Sequence, residues 1–500
     1  GALDYDLDGW PDLYLTQGGP LPRLEPVPAH DYQDRLFRGL DGESFADVSV
    51  ASHVDDKLYS QGVAVGDFDA DGFPDLYIAN IGPNVLYRNN GDGTFQEVST
   101  QSGTQGNAWT SSCLMADLNG DTLPDIYAVN YIGGDKLYTQ KCQVNSTTRC
   151  APVEHPAEQD RVYLNAGDGM FIDVTDRCGV IASEGRGLGI VAANFDDSRR
   201  LSVFVANDMS ANFFFQNLTP VPGDEPVFVE RAILNGLGYN SAGRSQASMG
   251  IAAGDANQDG LLDLFVTTFY KDSNTLFRQL PDGAFRDDTA ASMLGQASFY
   301  MLGWGTQFVD AELDGIPDLL VTNGHVHDPW VKETPYYMQP QFFRGHGAGR
   351  FEEVPAHQLG SYFEGKYLGR AMARLDWNRD GLEDVCIGHL DSPVALLSNE
   401  TVNPGHWLSL SLVGVDSSRD AIGTVVTLTT GSRTSVRQLT AGDGFQCSNE
   451  RRLVFGLGDT AVVDQLLVQW PSGLKQSFTD LASDQELMIV EGNATVFVRH

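Results

Sequence analysis

The chain has 500 residues, 42 % of them hydrophobic, and its formal net charge at neutral pH is −35. This length predicts several domains or an array of repeats, because a single core rarely grows beyond roughly 250–300 residues. The acidic balance argues against nucleic acid and anionic membranes as partners, since both require basic residues facing phosphate groups. It favours cation binding.

The first predicted element is an acidic loop that recurs along the chain with the pattern D-x-[DN]-x-D-x-x-x-D. Each copy follows a strand of small residues, such as GVAVGD, and precedes an apolar strand, such as DLYIAN. The near-complete copies begin at Asp4, Asp67, Asp117, Asp255, Asp310 and Asp376. One further copy, beginning at Asn194, is degenerate because serine replaces two of its carboxylates. Arg199 and Arg200 beside that copy would oppose a cation, so we expect it to hold none.

A second hairpin follows several of the loops, in stretches such as LYRNNGDGTFQEV and LFRQLPDGAFRDD. Gly and Asp or Asn supply the tight turn between two alternating strands. Each repeat is therefore interpreted as four short antiparallel strands. The seven copies start 50 to 77 residues apart. This arrangement predicts an all-β, seven-bladed β-propeller.

The aspartates in each loop are predicted to bind Ca²⁺, because hard oxygen ligands at alternate positions match its chemistry. Positions 1, 3, 5 and 9 would supply side chains, position 7 a backbone carbonyl, and position 6 is usually a glycine that permits the sharp turn. The predicted side-chain ligands are Asp4, Asp6, Asp8 and Asp12; Asp67, Asp69, Asp71 and Asp75; Asp117, Asn119, Asp121 and Asp125; Asp255, Asn257, Asp259 and Asp263; Asp310, Glu312, Asp314 and Asp318; and Asp376, Asn378, Asp380 and Asp384. The predicted carbonyl ligands belong to Trp10, Phe73, Leu123, Leu261, Ile316 and Leu382.

Two other interpretations of the loops were weighed. An EF-hand would need a bidentate Glu at position 12 and a following helix, but Leu15 and Ile78 occupy that position within strand patterns. Asp-Gly turns without metal would explain one loop but not six similar ones. The prediction is therefore about six Ca²⁺ ions.

With these features in place, the loops resemble the FG-GAP/VCBS repeats of integrin α-subunit propellers and of many secreted bacterial proteins. The resemblance covers residues 1–398 and includes the spacing, the glycines and the flanking strands. It implies calcium sites that brace the blades and take no part in catalysis.

From residue 399 to residue 500 the acidic loops are absent, and alternating Val, Leu and Thr stretches predict a small β domain. The stretches SSRDAIGTVV, LVFGLGD and VQWPSG are similar to the ASPIC/UnbV domain, named in part for cartilage acidic protein. In that family this domain follows FG-GAP repeats, which is the order found here.

Other polar positions keep alternative functions open. His325 and His327, in TNGHVHDPW, could bind a metal or a proton donor at the propeller mouth, although the pattern favours an ordering role in the loop. Cys142 and Cys150 flank a short polar stretch and are predicted to form a disulfide. The other four cysteines allow three pairings. The stretches 131–160 and 218–248 are predicted to be inserts that decorate the loop face.

Three functions follow. The first is a secreted or surface-exposed calcium-braced scaffold that binds a protein or mediates adhesion. The second is an accessory or catalytic subunit of an extracytoplasmic enzyme complex. The third is a lectin-like glycan binder that uses exposed aromatic residues such as Trp330, Tyr336 and Tyr337. An extracellular, cell-surface or periplasmic location is expected, because calcium is plentiful there.

The ends of the predicted ring lead to one more expectation. The first repeat retains only Gly1, Ala2 and Leu3 before its loop, and the seventh repeat lacks an outermost strand before the C-terminal domain begins. An upstream segment that supplied both strands would close the ring and remove an exposed sheet edge.

Overall fold

The computed structural model describes residues 1–19, 32–54, 56–137, 150–326 and 334–499. Within these ranges the predicted all-β class is confirmed, since every helix is a single turn. The helices are α1 (Ser99–Ser102), α2 (Ala232–Asn235), α3 (Thr289–Ser292), α4 (Leu294–Ser298) and α5 (Ser361–Glu364), with 3-10 turns at Pro152–Glu154 and Ala356–Gln358. No helix in these ranges is long and apolar enough to cross a membrane.

The strands up to Leu397 form five antiparallel sheets of four, eight, eight, four and three strands. The two eight-stranded sheets arise because Ile81 pairs with Trp109 and Asp208 pairs with Ala247. For description we divide the strands, in chain order, into seven groups called units 1 to 7. Unit 1 contains β1 (Ala2–Leu3), β2 (Asp12–Leu15), β3 (Arg35–Leu40) and β4 (Ser44–Asp47). Unit 2 contains β5 (Ser60–Gly66), β6 (Asp75–Gly82), β7 (Val85–Asn89) and β8 (Phe95–Glu97). Unit 3 contains β9 (Ala108–Ala116), β10 (Asp125–Asn130), β11 (Arg161–Asn165) and β12 (Phe171–Asp173). Unit 4 contains β13 (Gly187–Ala193), β14 (Ser202–Ser210), β15 (Phe213–Asn217) and β16 (Phe228–Glu230).

Unit 5 contains β17 (Gln246–Gly254), β18 (Asp263–Thr268), β19 (Thr275–Gln279) and β20 (Phe285–Asp287). Unit 6 contains β21 (Gly303–Val309), β22 (Asp318–Asn323), β23 (Gln341–Gly345) and β24 (Phe351–Glu353). Unit 7 contains β25 (Gly369–Leu375), β26 (Asp384–His389) and β27 (Ala395–Leu397). The predicted insert 218–248 is wrong as a single loop, because it includes β16, α2 and the start of β17.

The register is the same at the loop end of every unit. In each, the residue before loop position 1 pairs with the residue at loop position 9, as Gly66 pairs with Asp75 and Ala193 with Ser202. The acidic loops are therefore the turns between the first and second strands. Small residues dominate the first strands because neighbouring units approach closely there: a Cβ added to Gly250 would lie 2.0 Å from the Trp304 carbonyl oxygen.

Consecutive units pack face to face, and their first strands contact one another in series from β5 to β25. Units 7 and 1 also meet: β25 contacts β1, and Leu375 and Cys386 share a buried cluster with Ala2 and Leu13. Burying such apolar faces removes them from water on both sides of each sheet. The arrangement is consistent with a β-propeller.

The C-terminal module contains two four-stranded sheets that pack on each other. One has the order β31 (Leu453–Gly458), β28 (His406–Val413), β34 (Gln485–Val490) and β35 (Val496–Arg499). The other has the order β30 (Arg433–Gln438), β29 (Val425–Thr430), β32 (Val462–Gln469) and β33 (Lys475–Ala482). Leu408, Val426 and Trp470 are buried in a cluster that also contains Leu114 and Ile190 of units 3 and 4. The module and the repeats therefore share a continuous core.

Residues 439–452, here called the central segment, connect β30 to β31 and lie among the first strands of the units. Ala441 exchanges two backbone hydrogen bonds with Ala192, of 2.9 and 3.1 Å, and Gly444 exchanges two with Ile251, of 2.9 and 2.6 Å. The Ser448 carbonyl accepts a hydrogen bond from the Ala2 amide at 2.9 Å. The segment thus bonds to units 1, 4 and 5 at the centre of the assembly.

Candidate metal centres

The loop beginning at Asp67 shows how the carboxylates are arranged. One oxygen of each of Asp67, Asp69 and Asp71 lies within 4.8 Å of the others, and Asp4, Asp6 and Asp8 converge in the same way. Asp67 Oδ2 accepts a hydrogen bond from the Gly72 amide at 2.9 Å. Convergence of three carboxylates suits a hard cation, because the like charges otherwise repel.

Several of these oxygens lack a hydrogen-bond donor. Asp67 Oδ1 and Asp310 Oδ1 are buried without a partner among the described residues, and so are Asp4 Oδ1 and Asp6 Oδ1. Asp67 is 3 % exposed and Asp310 is 0 % exposed. An unpaired buried carboxylate oxygen is costly, and a bound cation would satisfy it. The donor set therefore fits Ca²⁺.

Burial also raises the pKa of the aspartates at position 1. The pKa is raised to about 6 for Asp4, Asp67, Asp117 and Asp255 and to about 7 for Asp310 and Asp376, in each case chiefly through desolvation. Desolvation disfavours the ionised form, and a nearby cation favours it. Cation binding to these loops would accordingly release protons near neutral pH.

Each loop needs two left-handed residues, at positions 4 and 6. In the second loop these are Ala70, with φ 58°, and Gly72, with φ 99°. Five of the six intact loops have glycine at position 6, as the sequence predicts. The third loop has Thr122 there, with φ 81°, and has its glycine at position 4 instead. A β-branched residue in this region is strained.

The aspartate at position 9 has a role that the sequence pattern did not reveal. Asp75 Oδ2 accepts the Phe68 amide at 2.9 Å, and its Oδ1 accepts the Asn89 amide of β7 at 2.7 Å. The equivalent residues Asp12, Asp125, Asp263, Asp318 and Asp384 make the same two bonds. Neither of the two converging carboxylate groups includes position 9. This aspartate therefore ties the loop to the third strand of its own unit.

Positions 3, 5 and 7 also form local hydrogen bonds. The amides of the predicted carbonyl ligands donate to the position-5 carboxylates, as Phe73 does to Asp71 at 2.9 Å. The equivalent bonds at Trp10, Leu123, Leu261, Ile316 and Leu382 span 2.7 to 3.0 Å. Asn119, Asn257 and Asn378 donate their side-chain amides to the same carboxylates. Glu312 instead accepts a hydrogen bond from Arg344 Nε at 2.7 Å.

A second recurring contact joins neighbouring units. The amide side chain that ends the third strand donates to the backbone carbonyl at loop position 2 of the preceding unit. Asn165 Nδ2 donates to the Phe68 carbonyl at 2.8 Å, and Asn217 Nδ2 donates to the Leu118 carbonyl at 2.7 Å. Asn89, Gln279 and Asn399 make the same contact with Tyr5, Phe195 and Ala311. We call it the inter-unit amide bond; its signal in the sequence is the Asn or Gln in LYRN, VYLN, FFQN, LFRQ and LLSN.

The C-terminal module covers the loops. Arg419 Nε lies 3.6 Å from Asp67 Oδ2, and Arg437 Nη2 lies 3.8 Å from Asp310 Oδ2. Glu450 of the central segment accepts the Asp376 amide at 2.9 Å. A cavity of about 730 Å³ between the module and units 4 to 6 is lined by Asn194, Asp255 and Trp470, among others. The loops therefore face the module.

The remaining candidate residues are distributed as follows. His325 is 7 % exposed and its ring packs on Phe269 and Tyr270, with ring centroids 5.5 and 6.0 Å away. Tyr337 is 44 % exposed and donates to Asp391 at 2.7 Å. His327, Trp330 and Cys142 lie outside the described residues, so the predicted disulfide and the histidine pair remain predictions. Cys113, Cys178, Cys386 and Cys447 are buried free thiols, so none of the three pairings that the sequence allows is formed.

Comparison with known families identifies both parts of the chain. The FG-GAP-like repeat model matches residues 4–78, 67–128 and 255–321, and the ASPIC and UnbV model matches residues 414–496. The chain thus carries FG-GAP-like repeats followed by an ASPIC and UnbV domain. Cartilage acidic protein 1 of Xenopus tropicalis is 25 % identical over 342 residues, which cover 66 % of this chain. The match spans 48 % of that relative, about half its length.

Two lectins are among the solved structures that align with this chain. A lectin of Agrocybe aegerita that recognises non-reducing terminal N-acetylglucosamine is 15 % identical, with a TM-score of 0.43 over 77 % of this chain and 94 % of the lectin. A lectin from Burkholderia pseudomallei is 11 % identical, with a TM-score of 0.38 over 85 % of this chain and 97 % of the lectin.

Proposed function

We propose that this chain is a secreted or surface-exposed scaffold that binds a protein or glycan partner and is braced by Ca²⁺. In this proposal units 1 to 7 (residues 1–398) are the blades of a seven-bladed propeller, and residues 399–500 are the ASPIC/UnbV domain. The observation that carries the proposal is the unpaired buried oxygen of Asp67, whose carboxylate converges with those of Asp69 and Asp71. Bound cations would offset part of the net charge of −35 and so reduce the repulsion between acidic residues.

Bound Ca²⁺ would supply positive charge to the side chains at positions 1, 3 and 5 of each loop. Hydrogen bonds from the loop would then fix the position of the neighbouring unit as well. Loop position 2 accepts the inter-unit amide bond, as at Phe68, and position 9 holds the third strand through Asp75. A rigid loop therefore fixes both its own unit and the contact with the next one.

A non-catalytic role is supported by what occupies the centre of the assembly. The central segment bonds to the first strands there, and Phe445 packs on Trp304 with ring centroids 5.0 Å apart. His325 is buried against aromatic rings, which leaves it little access to a substrate. A role as an accessory subunit of an extracytoplasmic enzyme complex is the alternative function.

The partner is expected on the side opposite the loops, because the C-terminal module covers the loop side. Exposed aromatic side chains there include Tyr300, which is 62 % exposed, and Tyr337. Aromatic side chains with a polar tip are common where proteins bind partners. The similarity to a protein named for cartilage is in keeping with an extracellular location.

The test of cation binding is elemental analysis of the purified chain after equilibration with CaCl₂ and desalting. About six bound Ca²⁺ per chain are expected, at Asp4, Asp67, Asp117, Asp255, Asp310 and Asp376, and none at Asn194. Fewer than four would contradict the proposal. Cross-linking and co-purification from the native source would identify the partner. A co-purifying enzyme would favour the alternative function.

A further inference from the structure

The third strand of each unit has a variable position that faces the acidic loop. This position immediately precedes the Asn or Gln that donates the inter-unit amide bond, or the glycine that occupies the same place in units 1 and 6. From unit 1 to unit 7 it is occupied by Arg38, Arg88, Leu164, Gln216, Arg278, Arg344 and Ser398. We call it the pre-amide position. It is cationic in four units and uncharged in three.

Three of the four arginines contact carboxylates of the loop in their own unit. Arg38 Nε lies 2.6 Å from Asp6 Oδ2, and its Nη2 lies 2.8 Å from Asp8 Oδ2. Arg344 bonds to Glu312, and Arg278 Nη2 lies 3.6 Å from Asp259 Oδ2. These carboxylates occupy positions 3 and 5, which are predicted cation ligands. The guanidinium and a cation would therefore share the same carboxylates.

Units 2 and 3 also have four strands and an intact loop, but within the described parts of the chain they lack such an ion pair between the pre-amide position and the loop. Arg88 donates to Gln96 Oε1 at 2.7 Å and belongs to no ion pair with its loop among the described residues. In unit 3 the position is Leu164, so the loop beginning at Asp117 has no arginine from its own third strand. The same loop scaffold thus occurs with and without an internal counter-ion.

We propose that the pre-amide position sets the cation affinity of each loop, with Arg38 and Arg344 acting as internal counter-ions that compete with Ca²⁺. The inference rests on the proposed function, since it ranks the cation sites. Two positive groups at the same carboxylates repel each other, and breaking an arginine–carboxylate hydrogen bond before binding has a cost of its own. The pre-amide position therefore weakens the loops beginning at Asp4 and Asp310 most, and it does not weaken those beginning at Asp117 and Asp376, where the residue is uncharged.

The arrangement also has a structural consequence. When cations are scarce, Arg38 neutralises part of the first loop, so this loop keeps its geometry without metal. The loop beginning at Asp117 lacks this substitute and depends more strongly on the cation. Sites with an arginine would respond at higher Ca²⁺ concentrations than sites without one, which gives the assembly a graded response.

The test measures binding to the first loop through terbium luminescence. Trp10 occupies position 7 of this loop and can sensitise bound Tb³⁺, and the Trp10→Phe variant identifies the part of the signal that comes from this site. The full chain, stripped of metal with EGTA, is titrated with Tb³⁺ and then with competing Ca²⁺. Arg38→Gln is expected to lower the half-saturating concentration by about tenfold or more, because it removes the repulsion between two close cations.

Three further variants make the result specific. Arg38→Lys keeps the charge and should leave the affinity close to that of the native chain, and Leu164→Arg below tests the inference if Arg38→Gln fails to fold. Arg88→Gln is the matched control, because Arg88 pairs with Gln96, and should leave the first loop unchanged. Leu164→Arg adds a counter-ion to unit 3 and should weaken one Ca²⁺ site in a calorimetric titration by about tenfold.

The outcomes separate this inference from the proposed function. Tight binding of Tb³⁺ to the native chain with equal affinity in Arg38→Gln and Arg38→Lys would overturn the inference and leave the proposed function standing. Absence of Tb³⁺ and Ca²⁺ binding in every variant would overturn both. A tighter site in Arg38→Gln together with a weaker one in Leu164→Arg would support the inference.

Discussion

Units 3 and 4 are neighbours in the chain and in space, yet only one of them has an intact acidic loop. The loop of unit 3 has Asp117, Asp121 and Asp125 at positions 1, 5 and 9, where unit 4 has Asn194, Ser198 and Ser202. The strand register at the loop is nevertheless the same in both. The strand pairing at the loop therefore does not require the carboxylates, whereas the loop backbone differs: in the loop of unit 4 only Arg199, at position 6, is left-handed.

The hydrogen bonds explain why unit 4 keeps its shape. Ser202 Oγ accepts the Asn217 amide at 3.1 Å, which replaces the bond that Asp125 makes with the Asn165 amide at 2.9 Å. Asn217 still forms the inter-unit amide bond. A hydroxyl can accept this hydrogen bond as a carboxylate does, but it brings no charge to a metal site. Strand pairing at the loop is thus independent of the carboxylates that the proposed cation site needs.

The largest expected effect comes from making unit 3 resemble unit 4. The double variant Asp117→Asn with Asp121→Asn should lose one bound Ca²⁺ and, with it, about 2.7 kcal/mol of the calcium-dependent free energy of unfolding at a hundredfold excess over Kd. Denaturant unfolding with and without Ca²⁺ measures this difference. Asp196→Asn in unit 4 is the matched control and should change neither quantity. An unchanged calcium dependence in the double variant would contradict the assignment of this loop.

The inter-unit amide bond should be equally important at the loops of both units. Asn217 Nδ2 bonds to Leu118 in the loop of unit 3, and Gln279 Nε2 bonds to Phe195 in the loop of unit 4. Asn217→Ala and Gln279→Ala each leave a carbonyl of the preceding loop with one donor fewer, which should cost about 1–3 kcal/mol. Because the loop of unit 4 lacks the carboxylates, the loss for Gln279→Ala should be the same in EGTA and in Ca²⁺. Asn90→Ala, at an exposed turn, serves as the control. A loss for Gln279→Ala that appears only with Ca²⁺ would refute this independence.

A pH effect should distinguish the ends of the two units that lie away from the loops. In unit 3, Tyr127 donates to Asp160 at 3.0 Å, and burial raises the pKa of Asp160 to about 7, whereas unit 4 has Phe204 in place of the tyrosine. A carboxyl whose folded pKa exceeds its unfolded value stabilises the fold at low pH, and this stability is lost as the pH rises through the folded value.

The stability of the native chain should therefore fall between about pH 4 and pH 7 through Asp160, by at most about 1.4 kcal/mol per pH unit. Asp160→Asn should remove this part of the slope, because the amide does not titrate. Unfolding free energies at pH 5 and pH 7 for both proteins, in EGTA, give the comparison. Parallel pH profiles would show that Asp160 is ionised throughout the range.

The smallest effect concerns backbone strain at position 6. Thr122→Gly should stabilise unit 3 by at most about 1 kcal/mol, because the left-handed conformation costs a β-branched residue about 1–2 kcal/mol while glycine adds about 0.5–1 kcal/mol of chain entropy. The reciprocal change Gly9→Thr should destabilise unit 1, because φ is 95° there. The cost would come from backbone strain alone, since no atom lies within 4 Å of a new Cβ. Thermal unfolding in EGTA measures both changes. A destabilised Thr122→Gly would indicate that the Thr122 side chain contributes more than its strain costs.

The all-β class and the recurring hairpins could be predicted from the sequence because their causes are local. Alternating apolar residues, the glycine of each turn and the aspartate spacing all act within about ten residues. For the same reason Asp67, Asp69 and Asp71 were predicted to converge, and they do. The second role of Asp75 escaped prediction, since its partner Asn89 lies 14 residues away on another strand.

The sequence alone therefore determined the loops and their chemistry, and the tertiary structure decided what surrounds them. The central segment pairs Ala441 with Ala192, residues 249 positions apart, and no local pattern specifies such a contact. The same holds for Arg419 beside Asp67 and for the amide of Asn217 at the Leu118 carbonyl. These contacts form only when seven units and the C-terminal module pack together, because the entropy of closing such long loops is offset only by the cooperative burial of the whole assembly.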